Sequence, residues 1–349
     1  MLRPLLRELR AVLLAYAVGA AVLLSQLLRR CRGGFREPVL PPQPDRVAIV
    51  TGGTDGIGLA TARQLARLGM RVVIAGNNAD KARDVVRSIR AETGNEKVDF
   101  LFLDLASLAS VRAFARDFLS LGFPLHVLVN NAGVMLAPRG SRTADGFERH
   151  LGVNFLGHFL LTRLLLGALR AAGRGGRRAR VVCLGSATHY VGALDPGALG
   201  RGPAAAESPH AAYARSKLAL VVFSRRLQRL LSARGDPVTA NVADPGVVDT
   251  ALFRRAGWPA RALQRALGWL LFKTPEEGAW TPVLAAAAPA LEGVGGRYLL
   301  HEAFAEPLAA SRDPGLQDRL WAESCRLTGA DPGEGGGGGG GDPGPGGRQ

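Results

Sequence analysis

Tyr213 and Lys217 lie four residues apart in the stretch Ala212 to Leu220 (AYARSKLAL), within a run that reads as helix through about Leu231. Residues at i and i+4 share a helix face, one above the other, so this spacing holds a phenol beside an ammonium. A free tyrosine titrates at about 10 and is a poor base at neutral pH. A neighbouring cation favours the phenolate, each pKa unit corresponding to about 1.4 kcal/mol. The chemistry on offer is proton exchange with an alcohol or a carbonyl. Y-x-x-x-K alone occurs on many solvated helices, so the pair needs a cofactor site upstream and a hydroxyl donor alongside. The chain supplies both.

The elements that must position this pair begin with Arg46 to Val50 (RVAIV), a short β-branched run. It ends in Thr51-Gly52-Gly53-Thr54-Asp55-Gly56-Ile57-Gly58, and an apolar helical pattern follows at Leu59, Ala62, Leu65, Ala66 and Leu68. Strand, glycine turn and helix form the context of a dinucleotide fingerprint, here spaced G-x-x-x-G-x-G. The glycines let the backbone approach a pyrophosphate, whose charge is stabilised at the helix N-terminus. A second strand, Met70 to Ala75, ends at Gly76-Asn77-Asn78. A carboxylate at this point would bind a ribose 2′-hydroxyl and an arginine would bind a 2′-phosphate. Asn77 and Asn78 do neither. Lys81 and Arg83 follow one turn later, while Asp55 would repel a phosphate aimed at it, so NADP(H), NAD(H) or both are admissible.

A third strand, Val98 to Leu103, delivers Asp104 and Leu105 to the adenine edge, and Leu125 to Val129 delivers Asn130-Asn131-Ala132-Gly133. Arg180 to Leu184 reads as a core strand ending in Gly185-Ser186-Ala187. Ligands of open α/β sheets bind at the carboxyl ends of the strands, which makes Ser186 the hydroxyl donor the pair requires. Val238 to Ala243 leads into Asp244-Pro245-Gly246-Val247-Val248-Asp249-Thr250, and Val294 to Leu299 reads as the last, edge strand.

T-G-x-x-x-G-I-G, D-L, N-N-A-G, Asn154, Ser186 and Y-x-x-x-K, in this order, resemble a classical short-chain dehydrogenase/reductase from about Asp45 to Tyr298. Phe147-Glu148-x-His150, the run Asn154 to Thr162, and Thr274 to Ala279 resemble its retinol-dehydrogenase-like branch. The resemblance implies an α/β fold: a single Rossmann-type, doubly wound parallel β-sheet of about seven strands. It implies a catalytic set in which Tyr213 exchanges the proton and Ser186 holds the developing alkoxide. Lys217 binds the nicotinamide ribose and lowers the tyrosine pKa, and Asn154 maintains a water path to solvent. It implies a cofactor set of Thr51, Gly52, Gly53, Thr54, Asp55, Gly56, Ile57, Gly58, Asn77, Asp104, Leu105, Asn131, Ala132 and Gly133. Tyr213, Lys217, Pro245, Gly246, Val248 and Thr250 complete that set. Gly185 stands where family members often carry serine, which bears on support of the loop. His158 and His189 read as structural, and no metal is expected.

The segments AYAVGAAV, QLLRRCRGGF, DRVAIVTGGTDGIG and LGWLLFKTP resemble one member of that branch more closely. That likeness implies a long isoprenoid substrate: polyprenol oxidised to polyprenal, and dolichal reduced to dolichol. The residues themselves specify only a lipophilic alcohol and its carbonyl. A retinoid or steroid is the alternative within enzymes, and a cofactor-binding pseudoenzyme acting as membrane scaffold is the alternative outside them.

Ala11 to Leu28 is an uncharged apolar run of about 18 residues, reaching ~27 Å against a hydrocarbon core of about 30 Å. Arg3, Arg7 and Arg10 precede it, Arg29, Arg30 and Arg32 follow it, and no small-x-small cleavage site comes after. It reads as a retained membrane anchor whose flanking charges leave its orientation undecided. The chain then divides into an anchor with basic flanks at 1–36, a Pro-rich linker at 37–44, the dehydrogenase domain at 45–329, and a disordered Gly/Pro tail at 330–349. Phe253 to Phe272 reads as an amphipathic helix suited to a membrane interface or a substrate lid. The net charge of +15 comes almost wholly from scattered arginine, the only lysines being Lys81, Lys97, Lys217 and Lys273. That pattern gives no aromatic-studded basic patch for nucleic acid. Three widely spaced cysteines suggest neither a disulfide framework nor a zinc site. Expected partners are a lipophilic small molecule and a membrane, with room for a homo-oligomer. The expected location is the endoplasmic reticulum membrane or lipid droplets.

Overall fold

The structure, a computed structural model, describes residues 2–35, 37–201, 207–250, 268 and 270–331. The expected amphipathic helix at 253–272 lies largely outside the described residues, as does the expected tail beyond 331. Eight strands form one sheet: β1 (Val47–Thr51), β2 (Arg71–Gly76), β3 (Val98–Phe102), β4 (Val127–Asn130), β5 (Ala179–Leu184), β6 (Val238–Asp244), β7 (Tyr298–Leu300) and β8 (Ala303–Ala305). Their spatial order is β3-β2-β1-β4-β5-β6-β7-β8, parallel as far as β7. The crossover from β3 back past β1 to β4 makes the carboxyl ends of β1 and β4 the switch point, where an open α/β sheet forms its ligand crevice.

Central strands buried on both faces are mostly apolar, and β1 (VAIVT) and β5 (ARVVCL) are buried at every position, Arg180 of β5 being held by the Ala288 carbonyl and Glu292. One face is covered by α2 (Gly56–Arg67), α3 (Ala79–Thr93) and α7 (Pro275–Ala287). The other is covered by α4 (Leu108–Ser120), α5 (Gly157–Gly173), α6 (Pro209–Ala233) and α8 (Pro314–Thr328). Side-chain caps fix where these helices begin. Asn78 accepts from the Lys81 amide, Ser208 accepts from Ala211, and Thr274 with Glu277 forms a reciprocal capping box on α7. Phe155, Phe159, Phe223 and Trp321 meet edge-on or stacked at 5.3–6.1 Å, tying α5 and α6 to α8.

Two local features depart from the expectation of seven strands ending at 294–299. The edge strand is β8, which pairs antiparallel with β7 through Leu300 and Ala303. The turn between them is His301-Glu302, with φ of 52° and 63°. Two left-handed residues in a two-residue hairpin form a type I′ turn, usually announced by Asn-Gly. Here neither residue carries that signal. The second departure is a π-helical turn at Leu151–Leu156, immediately before α5.

The N-terminal segment forms one long helix, α1 (Leu2–Cys31). Its portion from Val12 is long and apolar enough to cross a membrane, with Leu13, Leu14, Tyr16, Leu24 and Leu28 exposed. The stretch 151–173 passes the same test but is buried as a core helix. Between α1 and β1 the linker packs on the body: Gln43 is buried and its side-chain amide donates to Ala287 at 2.8 Å.

Candidate active site

The glycine turn brings β1 directly onto α2. Gly52 has φ +65°, and a Cβ there would meet the Ala132 Cα at 2.9 Å. A Cβ on Gly58 would lie 2.3 Å from both the Asn131 amide nitrogen and the Gly52 carbonyl oxygen, so no side chain fits. The Asp55 carboxylate caps α2, accepting from the Gly56 amide at 2.8 Å. What results is a bare backbone cradle at a helix N-terminus, a fit for a dinucleotide pyrophosphate. Gly53 lies against Ile74 of β2, and Thr54 sits over Gly76 at the end of that strand. Ile57 is half-buried in the first turn of α2.

The floor of the crevice is organised by Thr51. Its Oγ1 accepts from the backbone amides of Asn131 at 2.9 Å and Ala132 at 3.0 Å, and it lies 2.9 Å from His158 Nε2. His158 Nδ1 is 3.0 Å from the Asn154 carbonyl, which can only accept. The ring therefore donates from Nδ1, and Thr51 donates to Nε2. Burial pushes the His158 pKa down to about 4, so this bridge is neutral. The histidine is structural, tying the glycine strand to the π-helical turn. Asn131 also donates from its side chain to the Thr51 carbonyl at 2.7 Å.

Asn154 sits in the π-helical turn, fully buried. Its Oδ1 accepts from the Val134 amide at 2.8 Å, and its Nδ2 donates to the Val134 carbonyl and to Ser216 Oγ, each at 3.0 Å. π-turns concentrate at functional sites, and this one aims a buried amide into the crevice. The turn is stapled from below by Glu148, which accepts from the backbone amides of His150 and Leu151 and from His150 Nδ1.

Helix α6 delivers the central pair as its spacing requires. Tyr213 and Lys217 are both buried, with the ammonium 5.8 Å from the centre of the phenol ring. Lys217 Nζ donates to the Leu184 carbonyl at 2.9 Å, leaving two of its three N–H donors for the crevice. Gly133 is beside it: a Cβ there would lie 3.9 Å from Nζ and 3.3 Å from Asn154 Oδ1. Ser186 follows β5, and its Oγ accepts from the Thr188 amide at 3.3 Å and from Thr188 Oγ1 at 3.0 Å. With its lone pairs occupied, the serine proton is directed at the phenol, which it hydrogen-bonds.

The expectation that the lysine lowers the tyrosine pKa meets a stronger opposing effect. Burial pushes the Tyr213 phenol well above its ordinary value, only partly offset by the Ser186 hydrogen bond. Burial likewise pushes Lys217 down to about 8, resisted by the Asp244 carboxylate. The protein alone therefore does not make Tyr213 a base at neutral pH.

Sequence reasoning missed the supporting role of Asp244. It ends β6, 1% exposed, accepting from the Tyr298 hydroxyl at 2.5 Å and the Gly246 amide at 2.9 Å. The departure at Gly185 now has a cause. A Cβ there would lie 3.3 Å from Tyr298 Cε2 and 2.7 Å from Val242, so glycine makes room for the phenol that holds Asp244. A carboxylate closing a buried strand was the available signal for Asp244. Tyr298 offered none. His189 is structural: Nδ1 bonds the Ser186 carbonyl at 2.8 Å, and Nε2 accepts from the Leu308 amide at 3.1 Å.

On the far wall, Pro245 is buried, Gly246 takes φ +82°, and Val248 pairs in parallel with Lys273. Thr250 closes the crevice, its methyl 3.2 Å from the Cβ position of Gly56. At the adenine end, Leu105 is buried while Asp104 is half-buried and accepts from the Ala106 amide at 2.9 Å. Asn77 is exposed at the end of β2, and Asn78 is spent on capping α3. Lys81 pairs with Asp55 at 2.6 Å and Arg83 pairs with Asp80.

The family model described as short chain dehydrogenase matches residues 46–196. Polyprenol dehydrogenase of Mus musculus is 70% identical over 330 residues, covering 94% of this chain and 97% of that protein. Polyprenol dehydrogenase of Homo sapiens is 59% identical, covering 92% of this chain and 96% of that one. Among solved structures, the Pseudomonas aeruginosa RhlG/NADP active-site complex is 28% identical with a TM-score of 0.59, covering 74% of this chain and 95% of that one.

Proposed function

This chain belongs to the short-chain dehydrogenase family, and from that premise we propose that it oxidises polyprenol to polyprenal and reduces dolichal to dolichol at a membrane, feeding dolichol synthesis. It is an NAD(P)-dependent oxidoreductase acting on an alcohol and its carbonyl. The observation that carries the substrate class is the 70% identity to a polyprenol dehydrogenase across 94% of the chain.

When bound, the dinucleotide supplies the carbon that accepts or donates hydride and, in its oxidised form, a positive charge. Thr51 to Gly58 would receive its pyrophosphate, Asn77 its adenosine ribose, and Asp104 and Leu105 its adenine, with Asn131, Ala132 and Gly133 as the floor. Pro245, Gly246, Val248 and Thr250 would hold its nicotinamide end. Lys217 would offer its two remaining donors to the nicotinamide ribose. Ser186 donates to the substrate oxygen, and Tyr213 takes the alcohol proton or returns one to the carbonyl oxygen. Burial holds the proton on Tyr213, which suits it to donate to a carbonyl oxygen, and a positively charged dinucleotide beside it would favour the phenolate that alcohol oxidation requires. Asn154 connects this proton to solvent beside Lys217.

Helix α1 anchors the enzyme in the endoplasmic reticulum membrane or on lipid droplets, where such alcohols dissolve. The test is purified full-length protein in vesicles with polyprenol, retinol or a hydroxysteroid, each with NAD and with NADP. Mass spectrometry reports which alcohol loses two hydrogens. Tyr213→Phe should lower turnover about 10²–10⁴-fold while reduced-cofactor fluorescence still reports binding. Preferred oxidation of retinol, or undiminished turnover in the phenylalanine variant, overturns this assignment.

A further inference from the structure

The C-terminal end of α1 does not hang from the body as a tether. Gln26, the one amide within the apolar run, is 3% exposed and makes three hydrogen bonds to the far wall of the crevice. Its Nε2 donates to the carbonyls of Val247 at 3.1 Å and Leu271 at 3.0 Å. Its Oε1 accepts from the Val247 amide at 2.7 Å. A Cβ on Gly246 would lie 2.5 Å from that same oxygen. Arg30 donates to the Leu270 carbonyl at 2.6 Å and the Phe272 carbonyl at 2.8 Å, and it pairs with Glu277 on α7. Arg29 holds the hairpin turn, donating to the His301 carbonyl at 2.5 Å and to Glu302 at 2.9 Å. Further along, α1 packs on the segment 187–191 after Ser186 and on α6, with Tyr16 5.7 Å from the His210 ring.

This junction contains features that cost stability. His301 and Glu302 adopt positive φ without being glycine, at roughly 1–2 kcal/mol each. His301 is buried, and among the described residues neither ring nitrogen has a hydrogen-bond partner; its Cε1 lies 2.9 Å from the Cβ position of Gly246. Groups kept in such states mark a functional constraint more often than a stabilising one. The loop they surround, Pro245 to Val248, is the one that frames the nicotinamide in the function proposed above, on which this inference rests.

We propose that the C-terminal end of α1, through Gln26, is a positioning element of the cofactor site: it holds the Pro245–Val248 loop in its binding shape and so couples seating of the anchor to cofactor affinity. A membrane helix with no such role would need only apolar residues. An amide here satisfies both polar groups of Val247 in a place the anchor shields from water. The arrangement also sets the apolar helix against the elements carrying Ser186 and Tyr213, so substrate arrives along the same helix that steadies the loop.

The test uses the full-length protein in phosphatidylcholine vesicles, titrated with NADH and NADPH by fluorescence. Gln26→Met keeps length and apolarity while removing all three hydrogen bonds. Flotation with vesicles should be unchanged, cofactor affinity should fall about tenfold, and exchange of the Val247 amide should accelerate. Wild-type affinity in a folded Gln26→Met protein overturns the proposal. If that variant lacks a cooperative melt, hydrogen exchange on the wild type decides. NADH should slow exchange at the C-terminal end of α1 together with residues 245–249, and protection confined to the latter overturns the proposal. If the wild type itself binds neither dinucleotide, the functional assignment fails instead, and that result is distinct from a defect limited to the variant.

Discussion

The two walls of the crevice are built by different means. The wall formed by β1, α2 and β4 presents a backbone cradle, held by contacts between residues 79 to 80 positions apart, such as Asn131 on Thr51 and Gly52. The wall formed by the 245–248 loop, the β7–β8 hairpin and α1 is made of side chains joining residues 221 to 273 positions apart. A backbone cradle tolerates many sequences but no added atoms at its glycines. A side-chain clasp tolerates added atoms at its rim but depends on particular functional groups. Errors on the first wall should therefore be steric and abrupt, and errors on the second graded.

Gly58→Ala gives the sharpest break. A Cβ 2.3 Å from two polar atoms forces the cradle open. An overpacking cost of about 3 kcal/mol, the upper end of the usual range, corresponds to roughly 150-fold weaker binding of both NADH and NADPH, measured by fluorescence titration. A loss no larger than that of Gln26→Met would erase the contrast between the walls.

Lys217, at the seam between them, gives an intermediate effect. Its pKa is about 8 in the fold against 10.5 unperturbed. Between those values the unfolded chain binds more protons, so this residue makes stability rise with pH, and below about 8 its buried charge imposes the full penalty. Lys217→Met should melt higher than wild type at pH 7, and the gap should narrow from pH 8 to 10.5. Thermal melts across that range check it, and a pH-independent gap would show that the charge is compensated.

The smallest effect tests the single side-chain switch on the backbone wall. Asp55→Asn preserves the α2 cap, since Asn caps about as well as Asp. It also releases Lys81 from an ion pair in which both side chains are about half exposed. A pair of that kind is worth at most about 1 kcal/mol. Preference should accordingly move towards NADP by about fivefold or less in steady-state assays. Movement towards NAD would mean that Lys81 faces elsewhere when cofactor binds.

The same division explains what could be read from the chain beforehand. β1, the glycine turn and the helix carrying Tyr213 and Lys217 announce themselves through local period and composition, and the parallel sheet follows from the family resemblance. The side-chain wall does not. His301-Glu302 makes a type I′ turn without its usual residues, so the hairpin and the eighth strand were invisible. Gly185 read as a weakened serine loop, because nothing nearby in sequence shows that Tyr298 occupies the space. Nothing local singles out Gln26 within the apolar run, because its partners lie beyond position 245. The phenol's pKa was inferred from one neighbour, whereas burial, a property of the whole fold, dominates it.

The π-helical turn at Leu151–Leu156 carries a consequence for sequence drift along this helix. Such a turn holds one more residue than its α-helical counterpart, and each residue advances an α-helix by about 100°. Losing a single codon here would let the helix anneal into regular winding. The amide of Asn154 would then swing out of phase with Phe159 and Leu160, which anchor the following turns in the core. This stretch is therefore held to its length as well as to its residues.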